Sequence, residues 1–274
     1  MKTLYLSDLD GTLLRPDGTL SEYSRNALNA LIERGVTFSF ATARSFNTSV
    51  PLLEGVRLNT PFIVHNGSFI VRQDQSTVYF NGFAAEESKD VFESFLRRGL
   101  CPVVYSVIEG RNRMSFLRKE SSPAQTEFAV SRMDDKFDKK RVREIFSRTA
   151  LLEGDVFYFN CIDEEEKLRV VYEELKTKYR CFFGRDMYSG EWWLEVMPQS
   201  ASKAEAAKKL KELLNCDKLV AFGDAVNDVP MFEIADECYA VENAAEELKR
   251  IASGIIAPNT VDGVVRWLLK HAAD

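Results

Sequence analysis

The stretch whose reading decides the fold is Lys2-Thr3-Leu4-Tyr5-Leu6-Ser7-Asp8-Leu9-Asp10-Gly11-Thr12-Leu13-Leu14. An apolar run, Leu4 to Leu6, stops at Ser7. Two carboxylates follow with one residue between them, Asp8 and Asp10, and then Gly11 and Thr12. A short apolar run bounded by polar residues and glycine predicts a buried strand that ends in a loop. Acids at the carboxyl end of such a strand are poor material for a core. They suit the holding of a divalent cation and attack on a phosphorus atom.

Outward from this loop the chain alternates. Pro16-Asp17-Gly18-Thr19 signals a turn, and Ser21 reads as the N-cap of a helix. Tyr23, Ala27, Leu28, Leu31 and Ile32 recur at helical spacing up to Gly35. Thr37 to Ala41 predicts a second strand, ending at Thr42-Ala43-Arg44-Ser45, and a helix to about Leu53 follows. Pro61 to Val64 predicts a third strand, closing at His65-Asn66-Gly67-Ser68. Strands alternating with helices over short links predict a parallel sheet covered by helices. The pattern resumes after Ser202 with a Lys/Ala/Leu-rich helix from Lys203 to Leu214. The buried strand Leu219 to Phe222 then ends at Gly223-Asp224-Ala225-Val226-Asn227-Asp228.

Between these halves the rhythm differs. Hairpin patterns flank Gln73 to Ser76 and Glu109-Gly110, helices span about 85–98 and 164–178, and strands cover about 156–161, 181–183 and 192–196. The charged stretch 138–149 reads as a helix, and 118–137, with Ser121-Ser122-Pro123, as an irregular connector. The spacing predicts an α/β protein whose parallel-sheet core is formed by 1–82 and 191–274, with a smaller α+β domain, 83–190, inserted into it.

Composition narrows the chemistry. The 274 residues suit one large domain or two smaller ones, and a hydrophobic share of 45% is ordinary for a soluble globular chain. A net charge of −6 disfavours a general nucleic-acid binder. No stretch reaches the roughly 18 uninterrupted apolar residues of a membrane helix. The N-terminus enters a strand without a basic and apolar leader, so a cytoplasmic protein with no membrane partner is expected. The five cysteines are scattered and form no Cys-x-x-Cys, which reads as reduced, buried thiols. Two histidines, His65 and His271, leave little room for zinc or for a Ser-His nucleophile. Carboxylates, lysine and hydroxyls must carry the chemistry.

The polar clusters all follow predicted strands, and in open parallel sheets ligands bind beyond the carboxyl ends of the strands. Asp8, Asp10, Thr42, Asn66, Asp224, Asn227 and Asp228 are therefore expected on one rim, with Lys203 within reach. Phosphoryl transfer needs a nucleophile, charge to offset the phosphate oxygens, and an acid for the leaving group. Oxygen-only ligands favour Mg²⁺ over zinc. Thr42 and the amides of Leu9 and Ala43, at strand-to-helix turns, suit phosphate oxygens, and Lys203 supplies positive charge. Taken singly, Thr42 and Asp224 read as helix caps, Asn66-Gly67 as a turn and Lys203 as a solvated lysine. Their order along the chain carries the reading.

That ordered set resembles the haloacid dehalogenase superfamily, in its phosphatase branch with the Cof-type, or type IIB, cap. Asp8 to Leu14, Ala41 to Arg44, Lys203, and Gly223 to Asp228 resemble its four motifs. The resemblance implies a Rossmann-like core with a cap inserted between the second and third motifs. It implies that Asp8 attacks phosphorus and that Asp10 serves as acid and then base. Asp8, the Asp10 carbonyl and Asp224 hold Mg²⁺ by the same resemblance, with Asp228 orienting Lys203 or the metal waters. Thr42, Lys203, Asn227, Leu9 and Ala43 hold phosphate, and Asn66 matches an element facing the cavity. Ala204 and Ala225 depart from residues common in the family, Gly and Gly or Ser, without touching a charged group.

The expected function is Mg²⁺-dependent hydrolysis of small phosphomonoesters, sugar phosphates or similar metabolites, by a monomer or small homo-oligomer. A phosphomutase or other phosphotransferase on the same scaffold, or a non-enzymatic binding module, are the alternatives. Tyr188, Trp192, Trp193, Arg185, Arg113 and Tyr158 are the inserted domain's candidate substrate contacts. Arg44 is expected in a surface salt bridge.

Overall fold

The strand Thr3–Ser7 owes its place to Leu4 and Leu6, fully buried on one face, with Tyr5 half-buried on the other. It is the fourth of five parallel strands, in the order Gly254–Ile256, Glu237–Val241, Lys218–Gly223, Thr3–Ser7, Thr37–Phe40. The computed structural model describes residues 1–136, 139–186 and 189–272. Register does the work of assembly: Ser7 pairs with Phe222 on one side and Phe40 on the other. The residues just past each strand, near 8, 42 and 224, therefore emerge side by side despite their separation in sequence. The Asp8 amide donates to the Phe222 carbonyl at 2.9 Å, and the Ala41 amide to the Ser7 carbonyl at 2.9 Å.

A single parallel bridge, Ala41 with Ile63, brings the segment Phe62–Val64 beside the sheet. That segment turns back through His65–Gly67 and forms a three-stranded antiparallel sheet with Phe69–Val71 and Thr77–Phe80. The expected third strand thus leaves the parallel ladder as soon as it has delivered Asn66. The helix Lys203–Leu213 is started by Ser202, whose hydroxyl accepts from the Glu205 amide at 3.0 Å.

The chain separates into two compact units, 1–80 with 202–274, and 81–201. The second unit holds a six-stranded sheet in the order Arg180–Arg185, Trp192–Met197, Asp155–Ile162, Val103–Ile108, Arg111–Phe116, Val142–Glu144. Its core packs Phe92 and Phe95 of Ala85–Leu96, and Leu168 and Val171 of Glu165–Leu175, against Val104, Phe159 and Leu194 of the sheet. Three expectations change here. The junction expected at 190/191 falls at 201/202, because Trp192–Met197 is paired between Asp155–Ile162 and Arg180–Arg185. The connector expected over 118–137 contains the helix Pro123–Asp134, started by Ser122 accepting from the Gln125 amide with Pro123 in the first turn. The helix expected over 138–149 is instead the edge strand Val142–Glu144 and a turn at Arg148–Leu152; Asp138 lies outside the described residues.

Gly67 fixes how the Asn66 turn meets the Lys203 helix. Its φ is +101°, and a Cβ there would fall 2.1 Å from the Ser202 carbonyl oxygen. Gly35 has a similar φ of +94° but open space around it. Gly35→Ala is therefore expected to cost about 1–2 kcal/mol, the penalty of left-handed backbone alone. Gly67→Ala should cost clearly more, since the turn or the helix start must also move. Urea titration of both variants checks this; equal losses would contradict the close approach.

Candidate active site

Three strand ends and one helix start meet in the first unit. Asp8 follows Thr3–Ser7 and is 6% exposed. Lys203, in the first turn of its helix, extends its ammonium between two carboxylates, 2.5 Å from Asp8 Oδ1 and 2.7 Å from Asp228 Oδ1. The Asp228 Oδ2 accepts from the Asp224 and Ala225 amides, each at 3.2 Å. Asp228 therefore has both oxygens occupied, which suits orienting Lys203 better than ligating a cation. Asp224 Oδ1 accepts from the Thr12 hydroxyl at 2.7 Å. Among the described residues, Asp8 Oδ2 and Asp224 Oδ2 accept no hydrogen bond.

Carboxylate oxygens of Asp8, Asp224 and Asp228 lie within 4.8 Å of one another. Their electrostatics follow from burial. Desolvation holds the Asp8 carboxyl well above the usual carboxylate range; Lys203 draws it back, and Asp228 and Asp224 raise it further. Burial pushes Asp224 up to about 6 against the opposing Thr12 hydrogen bond. Burial alone would depress the Lys203 ammonium, but Asp228 and Asp8 outweigh it, and its pKa rises. Like charges are crowded here, and a bound cation would relieve that crowding. The donor set is all oxygen, with no histidine or cysteine in the cluster, which fits Mg²⁺.

Asp10 is placed differently. Its side chain is 48% exposed and takes a two-pronged ion pair from Arg44, Nε to Oδ2 and Nη2 to Oδ1, both at 2.7 Å. The salt bridge expected of Arg44 thus ends on the second acid of the loop. Thr42 is buried, its amide bonded to the Ile63 carbonyl and its hydroxyl accepting from the Arg44 amide at 3.1 Å. Asn66 stands in left-handed backbone, φ 52°, with its amide on the Thr42 carbonyl and a buried Oδ1 lacking a protein partner. Ala43 is exposed in the Thr42 turn, Leu9 is buried, and Asn227 is half-buried beside Asp228. All these sequence-selected positions lie in the unit that carries the parallel sheet.

Two residues of the arrangement had no role in the sequence reading. Thr12 holds Asp224, and its adjacency to the acid pair was the available signal. Asn243 donates to the Gly11 carbonyl at 2.7 Å, and nothing in Glu242-Asn243-Ala244 marks it. The described candidate contacts of the second unit have partners within that unit. Trp192 stacks on Phe183 and Trp193 meets Phe128 edge-on, on opposite faces of one strand. Arg113 donates to the Lys140 carbonyl and Arg185 to the Gly190 carbonyl. Tyr158 packs against Tyr105 and hydrogen-bonds Glu195. Tyr188 lies outside the described residues.

A buried carboxylate held by an ammonium, carboxylate oxygens within 4.8 Å of one another and a second, solvated acid in the same loop form a set suited to phosphoryl transfer. Known proteins agree. The haloacid dehalogenase-like hydrolase family matches residues 5–268. The 5-amino-6-(5-phospho-D-ribitylamino)uracil phosphatase YwtE of Bacillus subtilis (strain 168) is 25% identical over 276 residues, covering 95% of each chain. A haloacid dehalogenase-like hydrolase from Bacteroides thetaiotaomicron has the same fold, with a TM-score of 0.76 at 24% identity over 98% of this chain and 99% of that one. A sugar phosphatase of HAD subclass IIB superposes with a TM-score of 0.74 at 20% identity over the whole of both chains. No helix among the described residues is long and apolar enough to cross a membrane. With the family match running through nearly the whole chain and phosphatases among its relatives, the chain belongs to the haloacid dehalogenase-like hydrolases, as one of their phosphatases.

Proposed function

We propose that the protein hydrolyses small phosphorylated metabolites with Mg²⁺ as cofactor, through an aspartyl-phosphate on Asp8. One observation carries the reading. Three carboxylates, Asp8, Asp224 and Asp228, are gathered around a single ammonium, Lys203. The sum of three negative charges and one positive leaves two negative charges, the complement of one divalent cation. The oxygens without hydrogen bonds, on Asp8 and Asp224, are the ones such an ion needs, and the Asp10 carbonyl completes the protein's share. Mg²⁺ bound there supplies the positive charge that lets a phosphate dianion approach a buried carboxylate.

The residues then divide the work. The other Asp8 oxygen, the one facing Lys203, forms the new bond to phosphorus as the ester P–O bond breaks. The leaving oxygen takes the proton of the Asp10 carboxyl. Water then attacks the phosphorus, Asp10 takes a proton from it, and the bond to Asp8 breaks to release inorganic phosphate. Lys203, the Thr42 hydroxyl, Asn227 and the amides of Leu9 and Ala43 hold the phosphate oxygens. Asp228 keeps Lys203 aimed, and Asn66 supplies an unpartnered amide oxygen to the same loops. A phosphorylated polyol or sugar is the substrate class favoured, because one relative acts on a phosphoribityl compound and one structural neighbour on sugar phosphates.

Asp8→Asn is expected to reduce turnover of para-nitrophenyl phosphate by at least 10³-fold, as for loss of a nucleophile. The thermal midpoint should hold or rise, because the substitution removes one of three crowded carboxylates. Retained turnover would sink the aspartyl-phosphate. Chelation with EDTA should abolish activity of the wild type, and added Mg²⁺ should restore it; full activity in the presence of chelator would rule out the metal.

A further inference from the structure

We propose that Arg44 is the positioning residue for Asp10, holding its carboxyl in the one orientation from which a proton passes to the leaving oxygen. The inference rests on the reaction proposed above. Asp10 sits where the backbone departs from helical geometry, φ −73° and ψ 127°, followed by Gly11 at φ 75°. Its side chain is half exposed, and among the described residues Arg44 is its sole side-chain partner. A short carboxylate in that setting samples several rotamers unless something fixes it.

Arg44 is built to fix it. The guanidinium engages both oxygens at 2.7 Å, which sets the plane of the carboxyl as well as its position. Each oxygen has a second lone pair beyond the one facing the fork, so a proton can still be carried. The arginine backbone is itself anchored. Its amide donates to the Thr42 hydroxyl at 3.1 Å, and its carbonyl accepts from the His65 amide at 2.9 Å. Thus the loop after the second strand, which carries Thr42, also aims the acid of the first. A pair this exposed contributes little to folding, so its consequence falls on geometry.

Leaving-group dependence separates this role from a structural one. The value of kcat/KM reports steps up to departure of the leaving group. A para-nitrophenolate leaves without a proton, whereas the glycerol alkoxide of beta-glycerophosphate needs one. Arg44→Ala should lower kcat/KM on beta-glycerophosphate by roughly 30-fold or more, part of the range for a general acid, and on para-nitrophenyl phosphate by about threefold at most. Arg44→Lys, which keeps the charge without the fork, should not recover the loss. Asp10→Asn should show the same split, and adding Arg44→Ala to it should cost nothing further. Equal losses on both esters, no loss on either, or additivity in the double variant would each overturn the role of Arg44. Absence of the split in Asp10→Asn itself would instead remove Asp10 as the acid, and the underlying reading with it.

Discussion

One ammonium holds the site together. Lys203 is 1% exposed and lies between Asp8 and Asp228, which are themselves buried. The first turn of a helix is an unfavourable place for a cation, since the helix dipole is positive there. The lysine is therefore explained by what it faces and not by the helix that carries it. Taking the ammonium from this cluster would cost about 3–5 kcal/mol, because the buried acids would keep their desolvation and mutual repulsion without its attraction. The strand that brings Asp8, the loop that brings Asp228 and the Ser202-capped helix are thus tied through one nitrogen atom. Even with it, the acids outnumber the cation, and that excess is the observation on which the proposed Mg²⁺ site rests.

The acid pair of the opening loop shows how one residue of spacing separates two kinds of chemistry. Asp8 continues the strand and points into the cluster, where burial and two neighbouring carboxylates act on it. Asp10 has left the strand, sits half in solvent and meets a guanidinium. These environments suit the proposed roles: a nucleophile gains from desolvation and a fixed attack line, while an acid that must give up and take a proton gains from access to water. The two environments are produced by the turn at Leu9–Leu13, whose backbone kink at Asp10 and Gly11 turns the second acid away from the first.

The juxtaposition of these strand ends was legible in the sequence because each residue follows a run that reads as a strand, and parallel strands of one sheet end together. Asp8, Thr42 and Asp224 needed no long-range information beyond that rule. The partner of Arg44 did need it: 34 residues separate it from Asp10, and only the register of Thr37–Phe40 with Thr3–Ser7 brings them together. The second unit was harder for a local reason. Ser122-Pro123 carries the same residues as a connector, and its role as cap and first turn depends on the helix behind it. Trp192–Met197 looks alike whichever sheet it joins, so pairing alone assigns it. Aromatic identity likewise said nothing of which tryptophan would find Phe183 and which Phe128.

The glycines of the motifs carry a constraint that their usual reading as turn residues conceals. A Cβ at Gly11 would stand 2.2 Å from Asp224 Oδ2, and one at Gly223 would stand 2.7 Å from Asp228 Oδ2. A side chain at either position and the neighbouring carboxylate exclude each other. Three acids can share a space 4.8 Å across only because bare backbone lines it on two sides, leaving the room to oxygen. The Gly11 carbonyl is held by Asn243 and the Asp224 carboxylate by Thr12, so the backbone that makes the room is itself pinned from both ends. Compactness of the charge cluster is therefore a property of what is missing at positions 11 and 223 as much as of the acids themselves. It explains why glycine stands directly after Asp10 and directly before Asp224.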